Sequence, residues 1–137
     1  MKALTIHQPW ADAIAYGHKP VENRSWPTSY RGPLLIHAGL TWSDDGAAFI
    51  RRMLPAADAE ALITAALKRR GGYVGRAILS DCVRNFLSPW FVGPRGFVLT
   101  NAEAFPAAVP ARGHQGLFHV PQDVCDALPL PVAKGEA

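Results

Sequence analysis

The stretch Gly17-His18-Lys19-Pro20-Val21-Glu22-Asn23-Arg24 constrains the fold most, because it turns the chain from helix to extended backbone and sets three charges at the turn. Gly17 suits the position past a helix C-cap, where a positive φ is needed and glycine takes it without strain. Lys19 and Pro20 then open an extended run. With a period of two, a strand over 21–25 puts Glu22 and Arg24 on one face and Val21, Asn23 and Ser25 on the other, while Lys19 at the bend can swing to either side. An exposed Arg–Glu pair on a strand would add little stability. The surroundings argue for more: Gln8-Pro9-Trp10 precedes the stretch, Trp26 and Tyr30 follow it, and His37, Trp42 and Trp90 come later.

Ala3 to His7 alternates and reads as a first strand; Pro9 then suits the first turn of a helix from Pro9 to Tyr16, with Trp10, Ala13 and Ile14 at helical spacing. The start of that helix, beside Gln8 and Trp10, offers unpaired N–H groups to a phosphate or carbonyl oxygen. Leu34 to Ala38 is a short apolar strand. Ser43-Asp44-Asp45 is an N-cap with acids in the first turn, for a helix ended by Pro55; a second helix runs from about Asp58 to Gly71-Gly72. Tyr73 to Val83 is the best strand, with Gly75 marking a bulge or a close approach. Gly93-Pro94-Arg95-Gly96 reads as a hairpin turn, Gly96 to Asn101 as a strand, and Pro106 and Pro110 as a loop. Leu117 to Val120 follows a turn, and a short helix closes the chain near residues 121–127. The expected architecture is α+β, one domain over 1–128, built on a partly closed barrel of about five or six mostly antiparallel strands with surrounding helices. Residues 129–137 are expected to fray.

At 137 residues the chain can bury its own core. No stretch is long and apolar enough for a membrane span, and Cys82 and Cys125 have no motif spacing, so a cytoplasmic protein is expected, without membrane partners. The five histidines lack metal-ligand spacing, so neither a metal nor another cofactor is expected. The net charge of +3 is uneven. Between residues 51 and 95, Arg51, Arg52, Lys68, Arg69, Arg70, Arg76, Arg84 and Arg95 stand against Asp58, Glu60 and Asp81. Such a basic middle is the footprint of a face that contacts a nucleic-acid backbone. A solvated helix surface gives the same count, and cations such as Lys68-Arg69-Arg70 also complement a helix C-terminus. The aromatics in loops, Trp26, Tyr30, Trp42 and Trp90, either fold onto the core or form a stacking surface for a base. His37, alone in an apolar strand, is either a hydrogen-bonded core residue or a cleft residue.

Four segments also carry a resemblance: Leu4 to Trp10 with its Q-P-W, Gly17 to Arg24 as G-x-K-x-x-E-x-R, Arg31 to Ala38, and Gly113 to Phe118. In this order they resemble the ASCH family of the PUA-like superfamily. The resemblance implies a small β-barrel with a cleft that holds Lys19, Glu22 and Arg24 and faces RNA or a modified nucleoside, with DNA as another possible partner. Gln8, Trp10, Trp26, Tyr30, His37, Trp42 and Trp90 complete the expected ligand-binding set. Some bacterial relatives cleave the acetyl amide of N4-acetylcytidine and others have been assigned ribonuclease activity, so a hydrolase using Lys19, Glu22 and Arg24 is the alternative. In the amidohydrolase type threonine stands where this chain has Glu22, and Glu22 could replace it only as a general base on water.

Overall fold

All but the first residue of the short helix after Pro9 are buried, and this sets the layering in the computed structural model, which describes residues 1–133. The order is β1 (Lys2–Gln8), α1 (Trp10–Ala15), β2 (Val21–Arg24), β3 (Gly32–Trp42), α2 (Asp44–Met53), α3 (Ala56–Leu67), β4 (Gly72–Val83), β5 (Arg95–Pro110), β6 (Leu117–His119) and α4 (Gln122–Asp126). The strands form one sheet in the order β2-β5-β4-β3-β1-β6. Only β1 and β3 run parallel, and α1 with β2 supplies the crossover that such a pair needs. No pairing joins β2 to β6, so the barrel-like sheet is open. The expected α+β class is therefore present.

One core lies between the sheet and α1, where Ile14 and Ala15 meet Leu4, Leu34, Ile36 and Phe97. Another lies beyond α1, where Ala13 meets Ile50, Leu62, Ile63 and Trp90. A helix enclosed on both sides needs small residues, hence Ala11, Ala13 and Ala15. Gly75 answers the same crowding: a Cβ there would lie 2.5 Å from Glu103 O and 2.9 Å from the Ala15 Cβ. A third core on the other face of the sheet packs Ala3, Leu35, Tyr73 and Phe105 against Val124 and Cys125 of α4.

Two local expectations change. Pro106 does not end β5. The β4–β5 register shifts between Tyr73 and Gly75, so residues 105–108 bulge out, and a proline N without hydrogen is no loss there. Gly93 to Gly96 is not a hairpin turn but the end of a connection over 84–94, with Gly96 already in β5. Within the segment expected to fray, Val132 N–H donates to Ala104 O at 2.7 Å, an acceptor beside that bulge; residues 134–137 lie outside the described residues. The Ser43 cap forms, its Oγ accepting from Gly46 N–H at 2.9 Å. Among the described residues no helix is long and apolar enough to cross a membrane.

Candidate functional site

Gly17, at φ +84°, ends α1, and the N–H groups of His18 and Lys19 both donate to Ala13 O. This doubles the chain back and aims Lys19 along the next strand. Its ammonium donates to Val21 O and, at 3.1 Å, to Glu22 Oε1, and sits 5.4 Å from the centre of the Trp10 ring. Arg24 Nε donates to Glu22 Oε2 at 3.1 Å, and Arg24 Nη2 donates to Thr5 O at 2.7 Å. The three charges thus form a continuous chain with the carboxylate in the middle. Arg24 carries it from β2, one edge of the sheet, to β1 across the open seam.

Lys19 and Glu22 are only 4% and 8% exposed, so each depends on the other's charge. An ammonium has three donors and a guanidinium five. Two are used on Lys19 and two on Arg24, so both keep N–H groups for another oxygen.

Beside this chain is a cavity of about 430 Å³ lined by Trp10, Lys19, Glu22, Asn23, Phe49, Arg52 and Trp90. Its aromatic wall is a cluster in which the Trp10, Phe49 and Trp90 rings meet with centroids 5.0–6.3 Å apart. Asn23 holds that wall in place. Its Oδ1 accepts from Val92 and Gly93 N–H, and its Nδ2 donates to Trp90 O. On the other side of Glu22 a second cavity, about 330 Å³, is lined by Thr5, His7, Trp10, Glu22, Arg24 and Trp26.

The sequence of this region matches the profile of the ASCH domain over residues 4–90, which takes in every residue named so far in this cleft except Val92 and Gly93. The chain belongs to the ASCH domain family. The family is associated with RNA binding. Over 35 residues the chain is 54% identical to Activating signal cointegrator 1 of Homo sapiens, and the protein of that name from Mus musculus matches equally. That segment is 26% of this chain and 6% of either relative's length.

Several residues expected to touch ligand serve the ASCH fold instead. Gln8 is fully buried; its Oε1 accepts from Asp12 N–H and its Nε2 donates to Arg69 O. Arg69 is corrected most. It is 6% exposed, donates to Asp12 Oδ2 at 2.8 Å, and donates to the carbonyls of Phe105 and Val74 at 2.8 and 2.9 Å, so it does not face a nucleic-acid backbone. The reason lies in α1: a helix buried all round that carries an aspartate needs a cation inside the protein. Burial raises the Asp12 pKa above its ordinary value, with Arg69 pulling the other way, and Oδ1 has no partner among the described residues.

Tyr30 bonds through its hydroxyl to Pro33 O, Trp42 packs beside the helical core, and neither lines these two cavities. Trp26 does line the second, set edge-on to Phe97 at 5.1 Å. The other cations are spread out. Arg51 pairs with Glu60 and Arg76 with Glu103, Arg70 donates to Leu67 and Leu40 carbonyls, Lys68 and Arg84 are exposed, and Arg95 is half-buried. Of the eight, Arg52 alone lines the Lys19 cavity. Among the described residues no group of three metal-ligating side chains comes together. Sequence reasoning missed Asn23, Phe49 and Asp12. An aspartate inside an otherwise apolar six-residue helix was the available signal for the last.

His37 is 2% exposed, and it also lines a cavity together with Thr5, His7, Arg112 and His114. Its Nε2–H donates to Ala111 O at 2.7 Å, so the Nδ1 of the neutral ring accepts from the Thr5 hydroxyl at 3.2 Å. Burial lowers its pKa below 6.5, opposed by the Ala111 carbonyl and aided by the charge of His114. The unfolded chain therefore takes up this proton first as pH falls. Stability from His37 is full above the ordinary histidine value and is lost between that value and the lower folded one. Urea midpoints measured from pH 8 to pH 5 should fall for the wild type and fall less for His37→Gln; equal slopes would refute this.

Proposed function

We propose that this ASCH domain binds RNA and takes one base, modified or not, into the cavity between Trp10, Phe49 and Trp90. The observation that carries the reading is the Lys19–Glu22–Arg24 chain: an internal carboxylate holds two cations beside an aromatic wall with N–H donors to spare. Such a wall contributes on the order of 1–3 kcal/mol per stacked base. The spare donors suit a base carbonyl or a phosphate oxygen. Arg52, exposed at the cavity rim and 5.3 Å from the centre of the Phe49 ring, supplies a further cation. A cytoplasmic setting fits this reading.

Binding to short single-stranded RNA, followed by tryptophan fluorescence, should weaken as salt rises. Arg52→Gln should flatten that dependence by about 0.7 in log–log slope, the amount expected for one phosphate contact on a single strand. Affinity indifferent to salt would point to an uncharged small molecule instead.

Hydrolysis of N4-acetylcytidine or of RNA is the competing reading. It asks Glu22 to take a proton from water, yet both carboxylate oxygens already accept from cations, a geometry better suited to positioning than to proton transfer. Product formed from N4-acetylcytidine, or from RNA with magnesium, and abolished by both Lys19→Ala and Glu22→Ala would establish the hydrolase.

A further inference from the structure

The cleft does not stop at Arg24. A third cavity of about 590 Å³ shares Thr5, His7, Arg24 and Trp26 with the second, and a fourth of about 520 Å³ shares Thr5, His7, His114 and Gln115 with the third. Trp10, Glu22 and Asn23 already join the first to the second. The four make one groove from Arg52, across the seam bridged by Arg24, to Arg112. Its two halves differ in chemistry. The near half has the aromatic wall together with Glu22 and Asp45, whereas among the described residues no carboxylate lines the third and fourth cavities. Arg24, Arg112, His7 and His114 line them instead.

This far wall is built rather than incidental. Ala111 O is held by the His37 ring, and a Cβ on Gly113 would meet Thr5 Oγ1 at 2.7 Å and the His37 ring at 2.8 Å. The 111–115 segment therefore lies against β1 and β3 without space to spare. It also lies beyond residue 90, where the family match ends.

We propose that the far half is a second subsite, for the sugar-phosphate of nucleotides flanking the stacked base, and that the ligand is a single-stranded polynucleotide laid along the groove rather than a free nucleoside. The inference rests on the RNA reading of the near cavity. Phosphates need cations: Arg112 lines a cavity with no carboxylate in its lining, and Arg24, held by Glu22 through Nε, keeps N–H groups to spare. A base reaches the Trp10–Trp90 wall only when unstacked from a partner strand, so a duplex does not suit the groove.

The test uses the full chain with uridine 5′-monophosphate and oligouridylates of two, four and six nucleotides, followed by fluorescence. Affinity should rise with length until the groove is filled. Arg112→Gln should shrink the hexamer's advantage over the mononucleotide several-fold and flatten its salt dependence by about 0.7 in log–log slope; His114→Gln should shrink the same advantage. Both residues are exposed, so thermal melts of the variants should match the wild type. Mononucleotide and hexamer binding equally well, or a hexamer advantage untouched by both substitutions, would overturn the second subsite and leave the near-cavity reading standing. If no oligomer and no mononucleotide binds, both readings fall.

Discussion

Arg69→Met should destabilise the protein by about 3–5 kcal/mol, the usual penalty for removing one member of a buried ion pair. For a chain of this size that lowers the melting temperature by on the order of 10–20 °C. Three acceptors lose their donor at once: Asp12 Oδ2 and the carbonyls of Phe105 and Val74. Methionine fills much of the volume, so a cavity contributes little and the loss reports unmet polar groups. Urea unfolding of Arg69→Met, Asp12→Asn and the double variant separates the causes. The double variant should recover part of the loss, because no charge is then left inside; a double variant as weak as the sum of the singles would sink the pairing argument.

Acid should also narrow the deficit of Arg69→Met. Asp12 is already raised by burial, and removing the one group that lowers it by charge raises it further. A carboxyl raised in the folded state binds its proton more tightly there than in the unfolded chain, so its contribution is most favourable below 3.8 and is lost as pH rises through the folded value. The gap between Arg69→Met and its Asp12→Asn derivative should therefore close as pH falls.

The Asp12–Arg69 pair also marks where the sequence stopped being readable. Periodicity displays strands and helices that bury one face, and β1, β4, α2 and the Gly17 stop were legible for that reason. It does not display a helix buried on every side. Asp12 therefore looked like an ordinary polar position, Gln8 and Arg69 looked available to ligand, and the net charge of residues 51–95 counted a cation that lies inside. The charge run around Glu22 was legible because it is local, a few residues of one strand and one turn. Asn23 was hidden by the same alternation that displayed its neighbours: that alternation puts it on the opposite face, and what it does there depends on a loop 67 or more residues away. Arg112 and His114 were invisible as site residues because contacts distant in sequence, the His37–Ala111 bond, Gly113 against Thr5 and the β1–β6 pairing, set residues 111–115 beside β1.

Glu22→Ala tests what holds the site together, and its expected loss is about 3 kcal/mol in stability, at the low end for a buried pair because Arg24 keeps some contact with water. Lys19 would be left almost fully buried with Val21 O as its partner. Arg24 would keep Thr5 O and lose the contact that orients its Nε. Lys19→Met alone should also weaken the fold, but by less, since Glu22 retains Arg24. The double variant Lys19→Met/Glu22→Ala should lose less stability than the two single losses added together, and the surface pair Arg51–Glu60, both members exposed, should show much less coupling. RNA binding then decides the role of the carboxylate. If Glu22 serves to position Lys19 and Arg24, its removal lowers affinity although the site becomes more positive, because cations free to move lose the orientation a ligand oxygen needs. If it merely repels phosphate, affinity rises. A Glu22→Ala variant that is folded at low temperature and binds RNA more tightly than the wild type would therefore refute the positioning role and with it the geometry on which the proposed site rests.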